Sequence, residues 1–317
     1  MSVDRRTFTA GLSATAAAAL ASCGAPTQPA NTGKIRLGYT NTVSFLGAFI
    51  AKDAGAFERH GLQVDLTLVA LNSTIPSALV GGSLEIGGVT PPVLLAAIEG
   101  GLDIVVIAGA AVNDIRKKGA GVLARTGLDI KTAPDFVGKR VGVPGLGAYM
   151  HVMFRRWLKD KGVDDSKVNF VEVPLAQASD VLRAGNVDAV LVGEPFFSRV
   201  ISAKTGYLVS PFFTEMRDGL YQMYYGANRS WAEAHRKEIA AFRAALAEAT
   251  TFLAANPDES RAILGRATHL APEITATSVL PTLSLDVTPE DVNYWADTLI
   301  DQHAIKARPD AARLIFK

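Results

Sequence analysis

The sequence predicts an α/β protein of two doubly wound α/β lobes joined by two crossover strands, with a ligand cleft between the lobes. Three observations predict it. The chain has 317 residues, 49% of them hydrophobic and 20% charged, so it is long for one domain and rich enough to bury a large core. Short apolar or alternating runs that read as strands take turns with longer runs that read as helices. One series of these elements is written twice, 103–105 residues apart.

The repeat gives the elements in order. Gly33-Lys34-Ile35-Arg36-Leu37-Gly38-Tyr39 has its counterpart in Gly138-Lys139-Arg140-Val141-Gly142-Val143. A helical run from Ala48 to Glu58 stops at Gly61 and leads to the alternating strand Val64-Asp65-Leu66-Thr67-Leu68, as Met150 to Lys161 stops at Gly162 and leads to Val168–Val173. Leu79 to Ile86 matches Leu182 to Ala189, and Val89-Thr90-Pro91-Pro92 falls opposite Gly193-Glu194-Pro195-Phe196. Each half thus reads strand–helix three times, the pattern of a parallel sheet covered by helices. The apolar runs Ile104–Ala108 and Val187–Val192 fit buried parallel strands. The chain passes into the second half through Gly119–Arg125 and returns near Tyr207–Phe213, where Ser210-Pro211 interrupts regular structure. Beyond that the pattern is helical: residues 230–255 are amphipathic, and Thr288-Pro289-Glu290-Asp291 is a helix start with Thr as N-cap. These C-terminal helices are expected to complete the first lobe. The expected organisation is residues 34–120 with 213–317 in lobe 1, and residues 121–212 in lobe 2.

Residues 1–22 carry a charged start, Asp4-Arg5-Arg6, and a mild Ala-rich stretch from Ala10 to Ala21. This is the layout of a signal peptide, too short and too weakly apolar for a membrane span. The Arg5-Arg6 pair followed by Phe8 resembles a twin-arginine signal; the general secretory route is the alternative. Leu20-Ala21-Ser22-Cys23-Gly24 resembles the lipobox of bacterial lipoproteins, which makes Cys23, the only cysteine, the expected lipidation site. Two acyl chains on that residue give stable anchoring. Residues 23–33 then form a polar, proline-containing lipidated tether. The expected location is the periplasm or outer face of the cytoplasmic membrane, with the lipid anchor as the sole membrane contact.

Composition excludes several classes. With 32 basic and 31 acidic side chains the net charge is +1, which argues against a nucleic-acid partner. One cysteine rules out a disulfide framework or a Cys-rich metal site. The five histidines, His60, His151, His235, His269 and His303, show no metal-ligand spacing. Nucleophile elbows and zinc-protease motifs are absent. No catalytic residue, metal or cofactor is expected, and the chain reads as a monomer and not as an enzyme.

In open α/β sheets, ligands lie beyond the carboxyl ends of the strands, where helix N-termini offer free N–H groups. Reading the strand-to-helix junctions in order gives the candidate contacts: Tyr39, Thr40, Asn41 and Thr42; Ser73 and Thr74; Thr90; Gly147, Ala148 and Tyr149; and Glu194. Ser73, Thr74 and Thr90 also read as ordinary helix caps. The Gly145/Gly147 pair is a turn with no following Lys-Ser/Thr, so it is not a P-loop. Glu194 brings a carboxylate where the first half has Thr90. It reads either as a favourable charge at a helix start or as an acceptor for a ligand amine, amide or hydroxyl.

Taken together, these segments resemble periplasmic substrate-binding proteins of ABC importers, with the type 2 periplasmic binding fold. The nearest groups are the nitrate/sulfonate/taurine-binding proteins and their relatives that bind the thiamine pyrimidine precursor. The resemblance rests on Ala54–Val64, Ala78–Ile86, Ile130–Val143 with Asp135, Gly138 and Lys139, and Glu194-Pro195-Phe196, and it extends over residues 34–255. It implies capture of a small organic ligand by hinge closure and delivery to an ABC permease and its ATPase subunit. The ligand would be sulfonate-, taurine- or nitrate-like, pyrimidine-like or an aromatic acid. A ligand sensor without a transport role, or a pyrimidine-synthase-like enzyme on the same scaffold, are the alternatives. Where that family often has Ser or Thr after the second-lobe glycine, this chain has Gly147, Ala148 and Tyr149. That departure disfavours an anion needing many donors and suits a planar heterocycle, a zwitterion or an aromatic acid.

Overall fold

The computed structural model describes residues 34–317; the signal peptide, Cys23 and the tether lie outside the described residues. Two five-stranded sheets carry the architecture. The first has the order β2 (Gln63–Leu68), β1 (Lys34–Tyr39), β3 (Ile86–Val89), β11 (Tyr224–Asn228), β4 (Ile104–Gly109). The second has the order β8 (Asn169–Glu172), β7 (Arg140–Val143), β9 (Ala189–Gly193), β6 (Ala120–Arg125), β10 (Gly206–Ser210). A two-stranded ribbon pairs β5 (Ala111–Val112) with β12 (Thr282–Leu283).

The sequence repeat is a structural repeat. β1 runs parallel to β2 and β3, with Leu37 opposite Leu66 and Ile86. β7 runs parallel to β8 and β9, with Val141 opposite Phe170 and Ala189. The sheets are not wholly parallel, however. β11 is antiparallel to both β3 and β4, and β6 is antiparallel to both β9 and β10. Each of these strands enters directly from the other sheet, without the covering helix that returns a parallel strand. The run Ile104–Ala108 is therefore paired antiparallel, although it is as buried as expected.

β3 shows how closely helices cover the first sheet. A Cβ on Gly87 would fall 2.4 Å from Ile75 Cγ2, and one on Gly88 would fall 1.8 Å from Phe45 Cε1. Successive strand residues face opposite sides, so one glycine admits the helix Ile75–Val80 and the next admits the segment leading into the helix Leu46–Asp53. Phe45 is fully buried there among Tyr39, Phe49 and Tyr225. The second sheet has its own aromatic core of Phe136, Phe154, Trp157 and Phe212.

Two crossing segments link the sheets, and Asn113 ties them together. Its buried amide donates to the carbonyls of Phe213 (2.9 Å) and Arg217 (3.0 Å), while its backbone N–H donates to Leu220 O at 2.7 Å. The helix Pro289–Asp301 begins with the expected Thr288/Asp291 capping box. Its buried face does not stay with the first sheet. Trp295 donates its indole N–H to Tyr221 O at 3.1 Å and sets its ring edge-on to Tyr149 of the second half, and Asp301 pairs with Lys159 at 2.8 Å. The apolar stripe Val292-Trp295-Ala296-Leu299 covers both halves at once.

Candidate functional site

The strand ends of the two sheets enclose a cavity of about 280 Å³. From the first half it is lined by Thr40, Asn41, Thr42 and Ser44 after β1, by Leu68 to Ala70 and Asn72 after β2, and by Thr90 after β3. The second half adds Pro144, Ala148, Tyr149 and Met150 after β7, with Pro174 to Ala176 after β8. Gln222 and Met223 come from the returning crossing segment.

Asn72 is the structural hub of the first-lobe wall. Buried, it donates from Nδ2 to Gly88 O (2.9 Å) and accepts the Thr90 N–H on Oδ1 (2.9 Å). Thr90 therefore holds the N-cap position of the helix Pro91–Glu99, yet its hydroxyl makes no cap bond. The group an N-cap oxygen would engage at the second helical position is missing because Pro92 has no N–H. Thr90 is 6% exposed, and its Oγ1 has no hydrogen-bond partner among the described residues. Asn41 Oδ1 is in the same condition. Buried polar atoms are paired in the great majority of cases, so two orphans on one wall mark a place built for something else.

Tyr149 lines the facing wall with a ring stacked on Phe213 at 5.1 Å. Its hydroxyl is also unpartnered, and burial, with a smaller contribution from Tyr294, pushes its pKa above the usual phenolic range. Ser44 Oγ donates to Gln222 Oε1 at 3.1 Å, joining the first-lobe wall to the crossing segment.

Five expected contacts fall outside this lining. Tyr39 points into the first-lobe core, 5.1 Å from the Phe49 ring. Ser73 is exposed, and Thr74 donates its hydroxyl to Leu71 O at 2.9 Å within its own turn. Gly147 supplies a positive φ of 73° to the loop, and its N–H is taken by His151 Nδ1 at 2.9 Å. Glu194 lies in a smaller neighbouring cavity of about 60 Å³, which it shares with Asp114, Lys117 and Thr282. Its carboxylate already accepts from Ser198 Oγ (2.8 Å), Ser278 Oγ (3.3 Å) and the Val279 N–H (3.3 Å). Burial outweighs these donors and raises its pKa above the ordinary carboxylate value.

Among the lining residues the sequence reading missed, Pro174 to Ala176 had a usable signal. They follow β8, the repeat partner of β2, so the strand-end rule that selected Ser73 also reaches them. Gln222 and Met223 had none, since they precede an antiparallel strand rather than follow a parallel one. Among the described residues, no cluster of three or more His, Cys, Asp or Glu side chains is placed to hold a metal ion.

Two mixed sheets with a polar-edged cavity at their carboxyl ends define the periplasmic binding protein class of fold. Residues 28–267 match the NMT1-like family, and the chain belongs to it. The nitrate import ATP-binding protein NrtC of Synechocystis is 26% identical over 236 residues, covering 68% of this chain and 34% of the relative. The bicarbonate-binding protein CmpA of Synechococcus is 26% identical over 292 residues, covering 78% and 64% respectively. The chain thus spans about a third of the first relative and under two thirds of the second. In structure it is similar to the alkanesulfonate-binding protein SsuA of Xanthomonas axonopodis bound to MOPS. The TM-score is 0.77 at 20% identity, with 90% of this chain and 98% of that chain covered.

Proposed function

We propose that this chain is the extracytoplasmic solute-binding component of an ABC importer. It captures a small organic solute in the cavity between the two sheets and delivers it to a membrane permease served by an ATPase. The observation that carries this reading is the pair of buried, unpartnered oxygens, Asn41 Oδ1 and Thr90 Oγ1, on a cavity at the strand ends. Family membership supports it, as do relatives named for nitrate import and for bicarbonate and alkanesulfonate binding. The chain acts by binding, not by catalysis, and reaches the outer face of the cytoplasmic membrane after export. A lipid on Cys23 holds it there, and it works as a monomer. No helix of the described residues is long and apolar enough to cross a membrane.

The test is a deletion in the host bacterium, with the spent medium profiled for small organic solutes. The deletion strain is expected to leave behind one or a few solutes that the parent depletes, and the wild-type chain is expected to restore their uptake. Identical depletion profiles with and without the chain would refute the import role. In the same strains, Cys23→Ala is expected to move the protein from the membrane pellet to the soluble fraction.

A further inference from the structure

We infer that the helix Pro289–Asp301 is a strap that keeps the two halves joined along one flank of the cavity, so that solute enters and leaves between two lips at the ends of β2 and β8. This inference rests on the reading of that cavity as the solute site. It adds where the molecule holds and where it gives way.

The strap is argued from what it is made of. The helix Pro91–Glu99 of the first half packs on the helix Tyr149–Asp160 of the second and on the helix Pro289–Asp301. Leu95, Tyr149, Trp295 and Leu299, drawn from these three helices, belong to one buried apolar cluster. Parting the halves here would expose that cluster to water, at a cost that grows with its area and with little polar surface to hydrate in return. Polar ties fasten the end of the strap to both halves. Gln302 Nε2 donates to Val152 O at 2.8 Å in the second half, and the Lys306 N–H donates to Glu99 Oε1 at 2.6 Å in the first.

The contact made by Glu194 is of another kind. Its carboxylate meets Ser278 Oγ and the Val279 N–H, both at 3.3 Å. Water can take the place of each donor when these groups separate, so this contact yields at far smaller cost than the apolar one.

The lips are untied. Leu68 to Ala70 after β2 and Pro174 to Ala176 after β8 line the cavity, yet they also reach solvent: Leu68 is 56% exposed, and Ala70 and Ala176 are exposed. Each lip is bonded back to its own sheet, Val69 N to Tyr39 O and Val173 N to Val143 O, both at 2.8 Å. Among the described residues no hydrogen bond or ion pair joins residues 67–71 to residues 173–177. β2 and β8 are edge strands, so neither sheet continues beyond its lip. Separation at the lips therefore breaks nothing directional and uncovers little that is not already wet.

The experiment reads distances between pairs of nitroxide labels by pulsed electron spin resonance. Cys23 is the only cysteine, so Cys23→Ala leaves a chain free of thiols into which label sites are placed. Thr67→Cys with Gln177→Cys spans the lips, and Ala96→Cys with Asp160→Cys spans the strapped flank; all four positions are exposed. The protein is cleared of bound solute by unfolding and refolding. The lip pair is expected to give a distance distribution at least twice as wide as the flank pair. Trp295→Ala is expected to widen the flank pair to match the lips, and Leu299→Ala makes the same test should the first variant not fold. Gln302→Ala removes a polar tie but leaves the apolar stripe, and should keep the flank pair narrow. A flank pair as wide as the lip pair in the parent chain would overturn the inference, because the halves would then swing freely past the helix. Two equally narrow distributions would also overturn it, since the lips would not part. A flank pair that stays narrow in a folded Trp295→Ala or Leu299→Ala protein would remove the helix from the role of strap. The import reading is judged separately, by the spent-medium profiles, and none of these outcomes decides it.

Discussion

His151 shows how one side chain can make the cleft sensitive to acid. It sits in the first turn of the helix Tyr149–Asp160, largely buried, with the Phe170 ring edge-on at 4.5 Å. Its Nδ1 accepts the Gly147 N–H, which requires the tautomer with the proton on Nε2. A second proton would have to enter at Nδ1, against that N–H and in a desolvated site. Arg155 adds repulsion and Asp165 only partly offsets it, so the imidazole pKa is pushed down to about 4 from 6.5. Because the folded value lies below the unfolded one, the stability this group contributes is complete above pH 6.5 and is lost as pH falls through the window towards 4. A shift of that size corresponds to about 3 kcal/mol. Urea unfolding between pH 7 and pH 4 should show this loss in the wild type, and His151→Gln should flatten it, since a Gln oxygen can still accept the Gly147 N–H. Equal slopes in the two proteins would show that His151 does not govern the loop. The sequence placed His151 near the Gly loop but gave no means of seeing this bond. A strand-end rule finds the turn, not the direction each side chain takes within it. That is also why Thr90 and Asn41 were legible as cleft residues while Tyr39 and Glu194, one residue from the same strand ends, point elsewhere.

At the level of elements, the repeat was legible because each half must bury the same strand order. β2-β1-β3 and β8-β7-β9 are that order observed. The antiparallel β11 and β6 were not legible, since an apolar strand reads alike in either direction. Nor was the placement of the helix Pro289–Asp301 against both halves, because an amphipathic stripe shows that a face is buried but not what buries it. The Gly87-Gly88 pair is a finer case: the sequence shows two small residues in a strand, and the structure shows the helix Ile75–Val80 resting on the first and Phe45 on the second. Gly88→Ala would set its Cβ 1.8 Å from the Phe45 ring, which is itself enclosed by Tyr39, Phe49 and Tyr225. Over-packing of this kind costs roughly 1–3 kcal/mol. Chemical unfolding of Gly88→Ala should show a loss in that range. A double variant with Phe45→Leu should recover part of it, since the smaller side chain frees the space. A Gly88→Ala protein as stable as the wild type would mean that the sheet and the segment at Phe45 part more easily than their contacts indicate.

For the whole molecule, the question is what holds the halves together around the cleft, and Glu194 is placed to do so. It follows β9 of the second sheet, and its backbone carbonyl accepts the Val43 N–H of the first half at 3.1 Å. Its carboxylate reaches Ser278 and Val279, whose segment is tied back by Arg261 donating to Ser278 O at 3.2 Å. The neighbouring cavity is thus a polar seam between the halves, and Glu194 its central acceptor. Burial raises the folded pKa above the unfolded value, so the carboxyl stabilises the fold fully at pH below about 4.5 and loses that contribution as pH rises through the folded value. Glu194→Gln removes the ionisation and keeps an acceptor. It should therefore gain on the wild type as pH rises from 4.5 to 7. Glu194→Ala strands the Val279 N–H and should cost about 1–3 kcal/mol at either pH. Urea unfolding of the three proteins at pH 4.5 and pH 7 separates these effects, and small-angle scattering reads the seam directly. The Ala variant is expected to scatter with the larger radius of gyration as its halves part. If Ala and Gln were equally stable and equally compact, the carboxylate would be a passenger in the seam. The halves would then be held by the crossing segments at Asn113 and by the helix Pro289–Asp301 alone.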